Sequence, residues 1–122
     1  MQNSKVDLGE RMLDFAAGII RLTTLMEKSY TARHISGQLM RSATSAGANW
    51  EEAGGAESRP DFIHKQQVAL KELRESLFWL RLIEKSGICP QEFQDFGRLK
   101  DEARQLTRIV AKSIITSKEK QK

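Results

Sequence analysis

The sequence predicts an all-α protein, an antiparallel up-down-up-down four-helix bundle in a single domain over residues 1–122. Three observations carry that prediction. Apolar residues recur at spacings of three and four along four stretches. Serine, glycine and proline mark the joints between those stretches. The third stretch holds more apolar surface than one core needs, which points to self-assembly.

The first helix is predicted over residues 6–28, because Leu8, Met12, Phe15, Ile19, Leu22 and Met26 fall on one face. Ser29-Tyr30-Thr31 makes the turn, and Thr31 is placed to cap a second helix over 32–54. Its inward positions, Ile35, Leu39, Ala43, Ala46, Trp50 and Ala53, are mostly small and let a neighbour approach closely. Gly47, inside that helix, costs about 1 kcal/mol relative to alanine unless a close contact offsets it. Gly54-Gly55 ends the helix, and Ser58-Arg59-Pro60-Asp61 starts a third over 60–85 with proline in its first turn. Gly87 stops it. Pro90 is read as opening a fourth helix over 90–116, where Phe96, Leu99, Ala103, Leu106, Val110 and Ile114 share a face. The tail, 117–122, is expected to fray.

On helix three the expected inward stripe is Phe62, Ala69, Leu73, Leu77 and Leu80, with Phe78 and Ile83 at its margins. Val68, Trp79 and Leu82 project from the opposite half, near His64 and Glu75, and these five residues are read as an oligomer interface. The competing reading packs Trp79 under the first loop of its own chain. Arg41, Asn49 and Glu52 are assigned to polar pairing between helices or subunits, since buried polar groups must be paired.

Composition narrows the function classes. Hydrophobic residues at 39% and charged residues at 30%, with two prolines, fit a folded helical protein. No apolar run approaches the roughly 20 residues that span a bilayer, and no signal-peptide pattern occurs, so a cytoplasmic protein without membrane contact is expected. Cys89 is the single cysteine, which excludes an internal disulfide and a thiolate metal cluster. The net charge of +4 is uneven: from Arg104 to Lys122 six basic residues stand against Glu119 alone. Arg104, Arg108 and Lys112 recur every four residues, and Lys118 continues the row. These four are the candidate nucleic-acid contacts, and a solvated helix face is the competing reading. No aromatic residue interleaves with this row, so base stacking along it is not expected.

No catalytic, metal or cofactor site is predicted. Asp61-x-x-His64 and Glu72-x-x-Glu75, with Glu52, lack the paired Glu-x-x-His motifs of di-metal bundles. His34 sits in a first helical turn, where a solvated role is expected. Ser42, Ser45 and Cys89 have no histidine and carboxylate at a motif spacing.

Several motifs carry a resemblance. They are Arg41-Ser42-Ala43-Thr44-Ser45, Gly47-Ala48-Asn49-Trp50-Glu51-Glu52-Ala53, Asp61-Phe62-Ile63-His64-Lys65, Ala69-Leu70-Lys71-Glu72 and Trp79-Leu80-Arg81-Leu82-Ile83. Together they resemble the four-helix-bundle family of 23S ribosomal RNA intervening-sequence proteins. The first and last helices match in length and pattern only. The resemblance implies a bacterial bundle forming a ring-like homopentamer, akin to the basic accessory proteins of diversity-generating retroelements, which bind nucleic acid and a reverse transcriptase. Two functions follow as expectations. One is a non-enzymatic oligomer that binds RNA or DNA as an accessory to an RNA or retroelement process; the other is a structural adaptor ring that docks a protein partner.

Overall fold

The structure is a computed structural model and describes residues 4–121, with side chains over 8–120. Four helices make up its secondary structure: α1 Ser4–Leu25, α2 Tyr30–Gly54, α3 Arg59–Ser86 and α4 Phe96–Gln121. There is no strand among the described residues. None of these helices is long and apolar enough to cross a membrane. α1 and α3 each pack against both α2 and α4. Cross-helix partners run in opposite numerical order: Arg41 meets Glu72 while Glu52 meets Lys65, and Glu84 meets Lys100 while Gln66 meets Ser113.

The apolar stripes of α1, α2 and α4 form the core together with Leu73, Leu80 and Ile83 of α3. Ile19, Leu22, Leu39, Ala46, Leu106 and Val110 are fully enclosed. Trp50 is the exception on α2, half-buried at the core's edge. α1 and α4 are in tight contact at Gly18, where a Cβ would lie 2.7 Å from Leu99 Cδ2. At Gly47 a Cβ would find Met12 at an ordinary 3.7 Å, so the close approach expected there leaves room for a methyl group.

Helix ends depart from the sequence reading in four places. α1 stops at Leu25, and Met26 still buries its side chain beyond the helix end. Ser29, not Thr31, caps α2: its backbone is extended and its hydroxyl accepts from the Ala32 N–H at 3.2 Å. Thr31 is already inside the helix and exposed. Pro90 opens a turn, closed by the Phe93 N–H donating to Pro90 O at 3.1 Å, and α4 begins only at Phe96. The intervening Ile88, Cys89 and Phe93 pack on the core, which draws this segment across the bundle. The C-terminal helix extends beyond residue 116, where the sequence reading ends it. α4 runs to Gln121, and buried Ser117 donates to Gln66 Oε1 at 3.2 Å; Lys122 lies outside the described residues.

The expected starts and stops of α3 are present. Ser58 accepts from the Asp61 N–H at 3.2 Å, Pro60 lies in the first turn, and Gly87 ends the helix with φ of 73°. The buried face is rotated from the predicted one. Ile63, Gln66, Ser76 and Ile83 are inside, whereas Phe62 and Leu77 are half-buried and Phe78 is 56% exposed.

Candidate nucleic-acid interface

Arg104, Arg108, Lys112 and Lys118 are all exposed on α4. None of them forms a salt bridge among the described residues. The helix places them by its own geometry, since the stripe Leu99, Ala103, Leu106, Val110 turns the remaining positions outward.

α3 adds a second basic row that sequence reasoning missed. Lys71, Arg74, Arg81 and Lys85 are exposed, also without salt bridges among the described residues, and Phe78 stands in their middle. Their spacing of three and four keeps all five on one outward stripe. The same alternation that marks an apolar core stripe, applied to cations, was the available signal. The two rows meet at Glu84. Its hydrogen bond from Lys100 is the main influence holding its carboxyl below the ordinary range, and the charges of Arg104 and Lys85 add to it. α3 and α4 thus carry two exposed basic rows on adjacent helices, with the Glu84 carboxylate between them and an exposed aromatic in the α3 row.

The residues read as an oligomer interface are placed along the α2-facing flank of α3. His64 is exposed, while Val68, Glu75, Trp79 and Leu82 are half-buried. Trp79 has partners in its own chain. Its indole N–H donates to Glu75 Oε2 at 3.0 Å, and its ring lies edge-on to His34 on α2, 6.1 Å between centroids. The large apolar side chains left most open lie elsewhere, among them Leu13 at 63%, Phe78 at 56% and Ile115 at 60% exposure.

Of the three polar-pairing candidates, two bridge helices. Arg41 donates to Glu72 Oε2 at 3.1 Å and also to Glu75, and Glu52 accepts from Lys65 at 2.8 Å. Asn49 does not reach across. Its amide donates to Ser45 O at 2.9 Å one turn back in α2, and it is Ser45 Oγ that donates to Glu72 at 3.0 Å. Beneath this network Ser42 and Ser76, both fully enclosed, bring their hydroxyl oxygens 2.8 Å apart. Small side chains here let α2 and α3 approach closely.

Glu75 links this seam to acid stability. The hydrogen bond from Arg41, then that from the Trp79 indole, holds its carboxyl below the ordinary value of 4.5. The folded pKa is therefore the lower one, so this contribution is full above about pH 4.5 and is lost as pH falls through the folded value. Glu75→Gln is expected to flatten the acid limb of stability. Urea midpoints measured from about pH 6 down to pH 3 would check this, and identical slopes for variant and wild type would contradict it.

Among the described residues no three His, Cys, Asp or Glu side chains are grouped to hold a metal ion. Cys89 is half-buried, and burial pushes its thiol up from its ordinary value.

These features define an all-α, four-helix protein that carries a basic row on each of two adjacent helices. The family model for the 23S rRNA-intervening sequence protein matches residues 4–112, and the chain belongs to that family. A similar solved structure is a protein of unknown function from the S23 ribosomal protein family of Bacteroides thetaiotaomicron VPI-5482. It is 31% identical, covers 88% of this chain and 97% of its own, and has a TM-score of 0.77. No curated protein matches the sequence. The family match ends at Lys112, so the last turns of α4, with Lys118 and Lys120, lie beyond it.

Proposed function

We propose that this protein is a non-enzymatic, cytoplasmic up-down-up-down bundle that assembles as a homopentameric ring and binds RNA or DNA through the α3–α4 face. It would serve an RNA or retroelement process, with a reverse transcriptase or another protein as a further partner. The observation that carries the binding is the double row of exposed cations, four on α4 and four on α3, none in a salt bridge among the described residues. Free cations exchange counterions for phosphates, giving salt-sensitive affinity with little dependence on sequence. A ring repeats the face five times, so weak contacts add through effective concentration.

Exposed apolar side chains support self-association. Leu13 and Ile20 stand open on α1 beside a groove of about 530 Å³ floored by Ala16, Ala17, Gly47 and Ala48. The same groove supports the second reading, an adaptor ring that docks a protein partner and whose charge is incidental.

Reversing Arg104, Arg108 and Lys112 to glutamate is expected to weaken retention of a labelled RNA by about a hundredfold or more near 50 mM salt, and to make the log–log salt slope shallower. Oligomer mass is recorded alongside. Unchanged retention by an intact oligomer would sink the nucleic-acid reading and favour the adaptor.

A further inference from the structure

At the opposite end of α4 from Glu84, the fold closes a pocket of about 430 Å³ around parts distant in sequence. Trp50 comes from the last turns of α2, Phe62 and Arg59 from the first turns of α3, and Lys112 and Lys120 from the end of α4. Ser113, Thr116 and Ser117 add hydroxyls to the wall, and Leu8 and Ile109 add apolar surface. The volume falls in the range of ordinary small-ligand sites, about 300–1,000 Å³.

The pocket sits on a braced base. Gln66, 1% exposed, donates to Ser113 Oγ at 3.0 Å and accepts from Ser117 Oγ at 3.2 Å, tying α3 to α4 directly beneath the aromatics. A second hollow, lined by Trp50, Phe62, Gln66 and Ser113 among others, shares Trp50, Phe62 and Ser113 with the first, so the two rings border both. The Arg59 guanidinium lies 5.8 Å from the Phe62 ring centre. Arg59, Lys112 and Lys120 form no salt bridge among the described residues.

We infer that this pocket binds one nucleotide unit, its base against Trp50 and Phe62 and its phosphate against Arg59, Lys112 and Lys120. Two aromatic rings beside three cations that form no salt bridge among the described residues match a planar aromatic group carrying a negative charge, the combination single-strand-binding surfaces use. An uncharged apolar ligand would leave the cations unused. Lys112 belongs both to this rim and to the outer basic row, so the pocket adjoins that row on α4. The inference rests on the nucleic-acid reading above only for the strand as the source of the nucleotide; a free mononucleotide has the same chemistry.

The test uses the Trp79→Phe protein, in which Trp50 is the sole tryptophan and its fluorescence reports on the pocket. The probes are a ten-nucleotide single-stranded oligoadenylate, the corresponding blunt duplex, adenosine 5′-monophosphate, and inorganic phosphate. The strand is expected to quench Trp50. Phe62→Leu and Lys120→Glu, both at sites outside the sealed core, are each expected to weaken that binding by about tenfold with circular dichroism unchanged. Equal quenching by the mononucleotide would support the pocket with a free nucleotide as ligand, and quenching by the strand alone would support it with a strand. Quenching by the duplex or by phosphate as strong as by the strand would overturn the inference, as would affinity indifferent to both variants. The Arg104→Glu/Arg108→Glu protein separates the two readings. Strand affinity that falls there but ignores Phe62→Leu and Lys120→Glu removes the pocket and leaves the outer face. Mononucleotide quenching without any strand retention removes the outer face and leaves the pocket.

Discussion

Leu99→Ala is expected to lower the unfolding free energy by about 2–5 kcal/mol, a large part of the roughly 5–15 kcal/mol that holds a domain folded. Leu99 is 1% exposed and fills the seam between α1 and α4 opposite Gly18. Removing it leaves a void in that seam, and neighbours held by their own packing cannot collapse into it fully. Gly18→Ala probes the same contact from the other side. Alone, its methyl meets Leu99 and overpacks the seam, which outweighs or cancels the gain of about 1 kcal/mol in helix propensity. In the Leu99→Ala background that methyl enters empty space, and the substitution turns stabilising. Urea unfolding of the four proteins at one fixed concentration measures the coupling. Additive effects would show that Gly18 and Leu99 are not in tight contact.

Arg41→Met is expected to cost about 2–3 kcal/mol, below the 3–5 kcal/mol typical of breaking a buried ion pair. The discount reflects Arg41 itself, whose side chain is 47% exposed, while that of Glu72 is only 10% exposed. Without the guanidinium, the Glu72 carboxylate keeps the Ser45 hydroxyl and little else, in a place where water reaches it poorly. Removing both partners avoids that penalty, so Arg41→Met/Glu72→Leu is expected to recover most of the loss. Recovery is again read from urea midpoints at fixed concentration. A double variant no more stable than Arg41→Met would mean that the pair itself, rather than the stranded carboxylate, sets the cost.

That network also explains which parts of the molecule were legible in the sequence. α1, α2 and α4 bury apolar residues almost exclusively, so apolar spacing located their inner faces at Leu8, Leu39 or Leu106 without ambiguity. α3 buries Gln66, Glu72 and Ser76 beside its leucines. Each is tolerated inside because a partner on α2 or α4 satisfies it, and partners on other helices are invisible to a count of apolar spacings. The stripe that apolar spacing predicts through Phe62 and Leu77 is therefore turned by part of a step from the buried face, which takes in Ile83. The glycine-marked stops of α2 and α3 were legible, whereas the start of α4 was not. Gly55 and Gly87 act through their own backbones, whereas the start of α4 depends on where Ile88, Cys89 and Phe93 find the core. The α4 cations were legible as a row. The Trp50–Phe62 pocket was not, because it exists only once the ends of α2, α3 and α4 are brought together.

The helical order of the chain's last turns changes the thermodynamics of any ligand that meets them. A lysine on a loose tail must give up backbone freedom on binding, at about 1–2 kcal/mol per residue fixed. Lys118 and Lys120 stand on a helix already anchored by Ser117 to Gln66, so that entropy is lost once, when the protein folds. An anion arriving there has only the side-chain rotamers left to order, and more of its electrostatic attraction remains as affinity.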